Sequence, residues 1–256
     1  MPNLLIGNYR KGVQRVTGIE NYVQLMGFGE GGWGLDMLKA TGVTIAVAVC
    51  GFFIGSIFGC LGAAAKFSRL GVLRSCAEAY TTIFRGIPDL LVIYLFYFGA
   101  SSVITSINAL FNQEGFVSAP IFLIGALAIG IVSGAYQTEV FRGAVLALNK
   151  GEIEAAKAYG MSPFMRFRRI ILPQAARFAI PGVGNVWQLV LKESALISVI
   201  GLVELMRQAQ IGSGSTRQPF SFFLTAGALY LLITFVSGRV FQAAEKRAMR
   251  GIRKVT

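Results

Sequence analysis

Long apolar stretches without charged residues dominate the hydrophobicity pattern of this chain. A membrane-spanning helix needs about 20 mostly apolar residues. Four runs without any Asp, Glu, Lys or Arg reach that length, namely 40–65, 90–113, 115–138 and 218–238. A fifth run, about 178–203, is interrupted only by Lys192 and Glu193. The pattern predicts five spans, near residues 40–65, 82–107, 119–145, 180–205 and 219–241.

The composition supports an all-α membrane protein. Only 14% of the 256 residues are charged and the mean hydropathy is +0.62, whereas about a quarter of the residues in soluble domains are charged. The first 16 residues contain no continuous apolar run before a small-residue cleavage site, so we expect no cleaved signal peptide. We expect a periplasmic or interfacial segment over 1–36, one transmembrane domain over 37–245 and a basic cytoplasmic tail over 246–256.

The distribution of basic residues predicts the orientation of the spans. Fourteen Lys and Arg residues follow spans one, three and five, whereas six lie on the opposite side. Because cytoplasmic loops of membrane proteins are enriched in Lys and Arg, we expect the N-terminus in the periplasm and the C-terminus in the cytoplasm. The basic residues of the cytoplasmic loops account for the net charge of +12. Nucleic acid is therefore not an expected partner, and membrane lipid is.

Several kinds of chemistry are not supported by the sequence. The chain has no histidine, which excludes His-dependent nucleophiles and His-ligated zinc. Cys50, Cys60 and Cys76 show no CxxC spacing and fit small packing residues. A GxGxxG that begins at Gly29 follows no strand, and no P-loop motif occurs. We expect no metal site and no cofactor, and most familiar hydrolase chemistry is excluded.

Glycines four residues apart mark two of the predicted spans. They are Gly51, Gly55 and Gly59 in the first span and Gly130 and Gly134 in the third. Small residues at this spacing allow helices to approach each other closely in a membrane. Packing within one bundle and contact with a second membrane subunit both agree with this pattern.

A polar, basic segment, EAAKAYGMSPFMRFRRIILPQ (154–174), separates the third and fourth spans. Gly151 and Gly160 bracket EIEAAKAY, a run of residues that favour helix. Ser162 is a suitable N-cap, and Pro163 suits the first position of a second short helix. The segment therefore predicts a helix, a glycine turn and a helix. Because this unit is too short to have its own core, its apolar side must dock onto another surface.

The spacing within this segment resembles the EAA loop of the membrane subunits of ABC importers. The matching residues are Glu154, Ala155, Ala156, Gly160, Ile170, Leu172 and Pro173. The resemblance implies that the loop 146–177 forms a coupling helix that fits into a groove of an ATPase subunit. It also implies that Gly160 lies at the turn, where glycine adopts a positive φ at no steric cost.

Further motifs extend this resemblance over residues 35–250. FRGIPDLLVIYLFYFG (84–99), GAYQTEVFRGA (134–144) and PGVGNVWQLVLKESALISVIGL (181–202) are similar to the polar amino acid branch of these importers, especially histidine, lysine/arginine/ornithine and opine permease subunits. The resemblance implies a multi-pass permease subunit of the bacterial inner membrane. Its cargo would be a polar, basic amino acid or derivative: histidine, arginine, ornithine, lysine or an opine.

The same resemblance implies partners. They are a dimer of ABC ATPase subunits, a second homologous permease subunit in a heterodimer, and a periplasmic solute-binding protein. Two alternatives remain from the residues themselves. One is an ABC importer permease for a different small solute, because the EAA pattern is widely shared. The other is an ion-coupled secondary carrier, although such carriers usually contain inverted repeats, which this chain does not show.

Charged residues inside the predicted spans are costly, and they mark ion pairs or solute pathways. Glu139 and Arg142 are three residues apart and share a helical face. They either form an ion pair or leave Glu139 facing the translocation route. Asp89 follows Pro88 and suits the first turn of a helix, where the helix dipole favours an acidic group.

The fourth span provides the remaining candidates for the solute pathway. Neighbouring residues of a helix differ in direction by about 100°, so Lys192 and Glu193 cannot both point into one small site. In the amino acid branch the equivalent span lines the solute cavity. The resemblance therefore adds Asn185, Gln188, Lys192 and Glu193 as candidates. Related subunits have an acidic residue where this chain has Val186, so the partner subunit is an alternative source of the pocket.

Overall fold

Helices form nearly all of the chain that the structure describes. The computed structural model describes residues 18–29, 31–110 and 118–249. In chain order the helices are α1 Gly18–Leu25, α2 Gly34–Lys66, α3 Gly71–Gly86, α4 Asp89–Leu110, α5 Ile121–Leu146, α6 Lys150–Ala158, α7 Pro163–Arg166, α8 Leu172–Ser194, α9 Leu205–Thr216 and α10 Pro219–Ala248. A π-helical segment, Phe167–Ile171, joins α7 to α8, and a 3-10 segment, Ala195–Ile200, follows α8. The described ranges contain no β-strand.

Within the residues that the structure describes, five helical segments are long and apolar enough to cross a membrane. They are α2, α4, α5, the continuous run Pro163–Ile200, and α10. A helix of 20 residues already spans about 30 Å, the thickness of the hydrocarbon core. The predicted all-α fold with five spans is therefore confirmed.

Two of the predicted span boundaries are wrong. The second span does not begin at residue 82, because α3 ends at Gly86 and α4 begins at Asp89. Proline disfavours a helical conformation in the residue before it, and Ile87, which precedes Pro88, is extended with φ −96° and ψ 151°. The fourth span begins well before residue 180, because the helix already runs from Pro163. It leaves regular α-helix after Ser194.

The two ends of the chain fall partly outside the described residues. In the predicted segment 1–36 the structure describes α1 and the start of α2, which begins at Gly34. At the other end, α10 continues to Ala248, three residues into the predicted tail 246–256. Residues 250–256 lie outside the described ranges.

The close packing of α2 on α5 forms the centre of the bundle. A methyl group on Gly59 would lie 2.7 Å from Gln137 Cβ, and one on Gly51 would lie 2.8 Å from Ile129 Cγ2. Both distances are too short for carbon atoms in contact. The glycine pair of α5 faces α2 in return. Of the two interpretations of the glycine spacing, the structure shows packing within this bundle.

The apolar core lies between α2, α5 and α8. Its fully buried side chains include Val47 of α2, Ile129 of α5 and Val190 of α8. The outer helices α4 and α10 bury little of their surface. Leu95 and Phe235, for example, are 60% and 63% exposed. Such apolar exposed faces suit contact with lipid or with another membrane subunit.

A buried carboxylate, Glu204, ties the first and last spans together at the end opposite α6. Its Oε2 accepts hydrogen bonds from the Tyr230 hydroxyl at 2.9 Å and from Thr44 at 3.3 Å, and its Oε1 accepts one from the Arg207 N–H at 2.8 Å. Burial raises the pKa of Glu204, and these hydrogen bonds oppose that shift. Because every partner is a donor, the network stabilises a carboxylate at this position.

Candidate functional site: the α6 loop and the polar face of α8

Helix α6 is docked onto the rest of the bundle along one side. The Asn149 side chain caps its start by accepting a hydrogen bond from the Gly151 N–H at 2.9 Å. Ala156 is only 4% exposed, and Ile153 packs against an apolar cluster formed by α5 and α8. The Gln174 side chain of α8 also donates a hydrogen bond to Glu152 of α6. The expectation that the loop docks its apolar side onto another surface is confirmed.

Gly160 ends α6 in a left-handed conformation, with φ +71°. The Gly160 N–H donates to the Lys157 carbonyl at 2.9 Å, and the Met161 N–H donates to the Ala156 carbonyl at 3.1 Å. These two hydrogen bonds form the Schellman motif. In this motif the left-handed residue, here Gly160, lies four positions after the residue whose carbonyl accepts the second bond, here Ala156. The motif gives a physical reason for the spacing between Ala156 and Gly160, and the predicted glycine turn is confirmed.

The second half of the loop begins as predicted but continues further. The Ser162 hydroxyl accepts a hydrogen bond from the Met165 N–H at 3.3 Å, and Pro163 occupies the first helical turn. The predicted short helix is, however, the start of one continuous helical run to Ser194. Pro173 has no N–H and would clash with the preceding turn of an α-helix. The helix widens just before it, since the Leu172 N–H donates to the Phe167 carbonyl five residues earlier.

The seven motif residues of the loop differ in their surroundings. Ala156 is buried and Ile170 is half-buried, whereas five are exposed, namely Glu154, Ala155, Gly160, Leu172 and Pro173. Large aromatic side chains near them are also exposed, with Tyr159 at 89% and Phe164 at 72%. Phe167 and Leu172 point elsewhere, because they line an apolar pocket of about 310 Å³ between α2, α5 and α8. A group of exposed aromatic residues beside a docked helix is typical of a protein interface.

Three polar residues of α8 share one uncovered face. Asn185, Gln188 and Lys192 are all exposed, and their spacing of three and four places them on the same side of the helix. A pocket of about 200 Å³ lies beside Asn185 and Gln188, between α8 and α10. Polar side chains within a membrane span face a partner or a water-filled cavity rather than lipid. The structure therefore brings three of the four α8 candidates together.

Glu193 does not belong to this face. It is 4% exposed, and within the described residues its two carboxyl oxygens accept no hydrogen bond within 3.5 Å. The carboxyl of Asp89, the first residue of α4, lies close enough to interact with it. The prediction that Lys192 and Glu193 point in different directions is confirmed.

Glu139 lies in an ion-pair cluster near the α6 end of the bundle. Its Oε2 is 3.5 Å from Arg142, so the predicted ion pair is confirmed. The sequence did not reveal a second partner, Lys66, which lies on the last turn of α2 and pairs with Glu139 Oε1. The Lys66 side chain is 5% exposed and also donates to Thr81 of α3 at 2.7 Å. The cluster thus joins three helices.

Comparisons with known proteins identify relatives over most of the chain. Residues 51–250 match the family model described as binding-protein-dependent transport system inner membrane component. The chain is 74% identical over 234 residues to the octopine transport system permease protein OccQ of Rhizobium radiobacter, which covers 91% of this chain and 99% of that protein. It is 53% identical over 230 residues to the nopaline transport system permease protein NocQ of Agrobacterium fabrum, covering 90% and 98%.

More distant relatives agree with these. Identity is 36% over 218 residues to the histidine/lysine/arginine/ornithine transport system permease protein HisQ of Escherichia coli, covering 85% of this chain and 95% of that protein. A crystal structure of an amino acid ABC transporter with histidines matches with a TM-score of 0.68 and 31% identity, covering 83% and 97%. An inward-facing methionine ABC transporter, MetNI, matches in fold alone, with a TM-score of 0.66 at 20% identity, covering 84% and 96%.

Proposed function

Since the chain belongs to the family of binding-protein-dependent transport system inner membrane components, it is a permease subunit of an ABC importer, and we propose that its cargo is an opine of the octopine type. Subunits of this family are transport components and not enzymes, because a separate ATPase subunit hydrolyses ATP. An external binding protein delivers the solute. The chain is a multi-pass protein of the bacterial inner membrane.

The choice of cargo is supported by the order of the relatives. Identity falls from 74% with the octopine permease to 53% with the nopaline permease and 36% with the permease for histidine, lysine, arginine and ornithine. Octopine is arginine with a carboxyethyl group on its α-nitrogen, so it carries one more carboxylate than arginine. A site for octopine therefore needs an additional cationic group.

The polar face of α8 is the observation that carries this proposal. It presents one cation, Lys192, beside the two amides of Asn185 and Gln188. Lys192 forms no ion pair with a described acidic residue. The neighbouring Val186, at the position where related subunits have an acidic residue, is buried and uncharged. Lys192 suits a carboxylate, because charge-assisted hydrogen bonds are the strong ones, whereas the pocket beside Asn185 and Gln188 is also lined by the acidic Glu245 of α10.

The loop and the polar face are mechanically connected. Residues Pro163 to Ser194 form one continuous helical run, so Phe164 at the loop and Gln188 on the polar face lie about 36 Å apart on the same helix. When Tyr159 and Phe164 bind the ATPase, a movement of the closing ATPase dimer is transmitted along this helix. ATP drives alternating access only if the ATPase contacts differ between the two states of the spans.

The same features support a proposed organisation of the importer. In it the strongly basic loop lies in the cytoplasm, with the N-terminus in the periplasm and the C-terminus in the cytoplasm. One permease domain spans 37–245, between a periplasmic segment at 1–36 and a cytoplasmic tail at 246–256. A second, homologous permease subunit forms a heterodimer with this chain and covers the polar face of α8. Glu139 and Glu193 are less suited to solute contact, because other side chains already surround them.

Reconstituted transport tests the proposal. The chain is co-expressed with its second permease subunit and the ATPase, placed in proteoliposomes, and supplied with octopine-loaded binding protein. We expect ATP-dependent uptake of labelled octopine. Lys192→Gln should reduce this uptake by about 10- to 100-fold. This factor corresponds to the free energy lost when one hydrogen bond to a charged group is removed. Lys39→Gln is the matched control, because Lys39 is exposed and its one ion pair with a described residue is the contact with Asp36, three residues away.

Three results would contradict the proposal. Uptake of arginine without uptake of octopine would make the cargo a basic amino acid. Equal octopine uptake by the Lys192→Gln variant and its control would remove Lys192 from the site. Uptake that follows an ion gradient and ignores ATP would favour a secondary carrier.

A further inference from the structure

A polar cleft of about 530 Å³ opens beside α3, near the end of the bundle that carries α6. Three helices form its walls. The lining side chains are Lys66 of α2, Glu78, Thr82 and Arg85 of α3, and Tyr136 and Glu139 of α5. An open polar cleft is unusual in a bundle whose other uncovered surfaces are mainly apolar, because lipid does not solvate charged groups.

Helix α3 presents two different uncovered faces. Ala77 and Thr81 are buried against the bundle. On one side of them the exposed residues are Glu78, Thr82 and Arg85, and on the other they are Val72, Cys76, Ala79 and Ile83. Both sets have the spacing of three or four that defines a helical face. The second face suits lipid or a membrane partner, whereas the first requires water or a polar ligand.

The charges in the cleft are not all neutralised. Lys66 and Glu139 pair with each other. The Arg85 guanidinium lies 5.3 Å from the centre of the Tyr136 ring and forms no ion pair with a described residue. Glu78 has a single, long contact of 4.0 Å with Arg74, in which both side chains are more than half exposed. An ion pair between two exposed side chains contributes little to the stability of the fold. One available cation and one available anion therefore line the same open space.

The cleft leads toward the buried carboxyl of Glu193 on α8. Tyr136, which forms part of its wall, lies close enough to Asp89 and Glu193 to interact with both electrostatically. Polar and charged groups thus extend from the cleft to Asp89 of α4 and Glu193 of α8, through a bundle that is otherwise apolar.

We propose that this cleft is the release side of the solute path, where Arg85 receives a carboxylate of the departing solute and Glu78 receives its cationic group. This inference rests on the proposed function, because it assumes a zwitterionic cargo that enters at the α8 face. The proposed topology places the cleft on the ATPase side. A solute with charges of both signs is then held briefly by two groups of opposite sign, at the exposed rim where water can replace them.

Cysteine labelling tests this path with a matched pair of variants. In a background with Cys50→Ala, Cys60→Ala and Cys76→Ala, a single cysteine is introduced by Thr82→Cys or by Ile83→Cys. Both positions are exposed on α3, and because neighbouring residues of a helix differ in direction by about 100°, they lie on its two different faces. Vesicles that contain the whole importer, oriented with the ATPase side outward and filled with octopine-loaded binding protein, are treated with a membrane-impermeant, cationic methanethiosulfonate reagent. In this orientation uptake by the importer is measured as ATP-driven movement of labelled octopine out of the vesicle lumen.

We expect the Thr82→Cys protein to react and its octopine uptake to fall at least tenfold, and we expect excess octopine to slow the labelling. The Ile83→Cys protein should retain its uptake after the same treatment. Adding Arg85→Gln to the Thr82→Cys protein should abolish the protection by octopine.

The outcomes separate this inference from the proposed function. If the unlabelled background protein does not import octopine, the proposed function fails. If it imports octopine but uptake survives complete labelling of Thr82→Cys, the cleft is not on the solute path. An equal loss of uptake after labelling at Ile83→Cys would also overturn the inference, because the effect would then not depend on the polar face.

Discussion

Replacing Gly160 by alanine tests whether the left-handed turn at the end of α6 is needed for ATPase binding. Among the described residues, no heavy atom outside the glycine and its two chain neighbours lies within 4 Å of the position that a Cβ would take, so the new methyl group meets no steric obstacle there. Its effect is confined to the backbone, where φ +71° costs an L-residue about 1–2 kcal/mol. If the ATPase binds only the intact turn, its dissociation constant should rise by about 5- to 30-fold.

Gly160→Asn is the informative control for this experiment. Asparagine tolerates the left-handed region better than alanine, although its side chain is larger. Backbone strain therefore predicts that Gly160→Ala weakens binding more than Gly160→Asn. Steric contact between the ATPase and the residue at this position predicts the opposite order. Affinity is measured by titrating the purified ATPase subunit onto the permease complex in nanodiscs. The reasoning would be refuted if the Gly160→Ala variant bound the ATPase as tightly as the native chain, or if Gly160→Asn lost more affinity than Gly160→Ala.

Three further predictions concern stability, measured by thermal unfolding of the purified chain in detergent. Gly59→Leu should lower the unfolding free energy by about 1–3 kcal/mol through overpacking against α5. Gly42→Leu is the control and should not lower it, because Gly42 lies on an open side of α2. Equal effects of the two substitutions would contradict the described helix packing. Tyr230→Phe should cost about 1–3 kcal/mol, because it removes a donor from the buried Glu204 carboxylate, and an unchanged midpoint would show that this bond does not form. Lys66→Met should cost up to about 3 kcal/mol, since among the described ion pairs Glu139 then keeps only the 3.5 Å contact with Arg142; a more stable variant would contradict this.

The five spans and the loop were predictable because their signals are local. A charge-free run of more than 20 residues is sufficient to identify a span. The Ser162 cap and the Gly160 turn each depend on hydrogen bonds between residues only a few positions apart. The break at Pro88 was also a local signal. The predicted span from residue 82 missed it because the apolar run after Asp89 dominates the hydropathy of that region.

The contacts between distant parts of the chain were not predictable in the same way. Lys66 is 73 residues from Glu139, and Glu204 is 160 residues from Thr44. No spacing rule within one helix can identify such pairs, because they depend on which helices pack together. The candidates on α8 are an intermediate case. Their spacing of three and four predicts a shared face for Asn185, Gln188 and Lys192, whereas only the packing shows that this face is uncovered.

The most direct test of the account is the ATP hydrolysis of the assembled importer in nanodiscs, measured with and without octopine-loaded binding protein. The account predicts that the loaded binding protein stimulates hydrolysis through the α6 loop. A variant with Phe164→Asp and Glu154→Lys should insert normally but lose both the stimulation and the bound ATPase. If hydrolysis responds equally in the native and variant complexes, or if no ATPase associates with the native chain, the central claim that this loop couples ATP hydrolysis to solute import is contradicted.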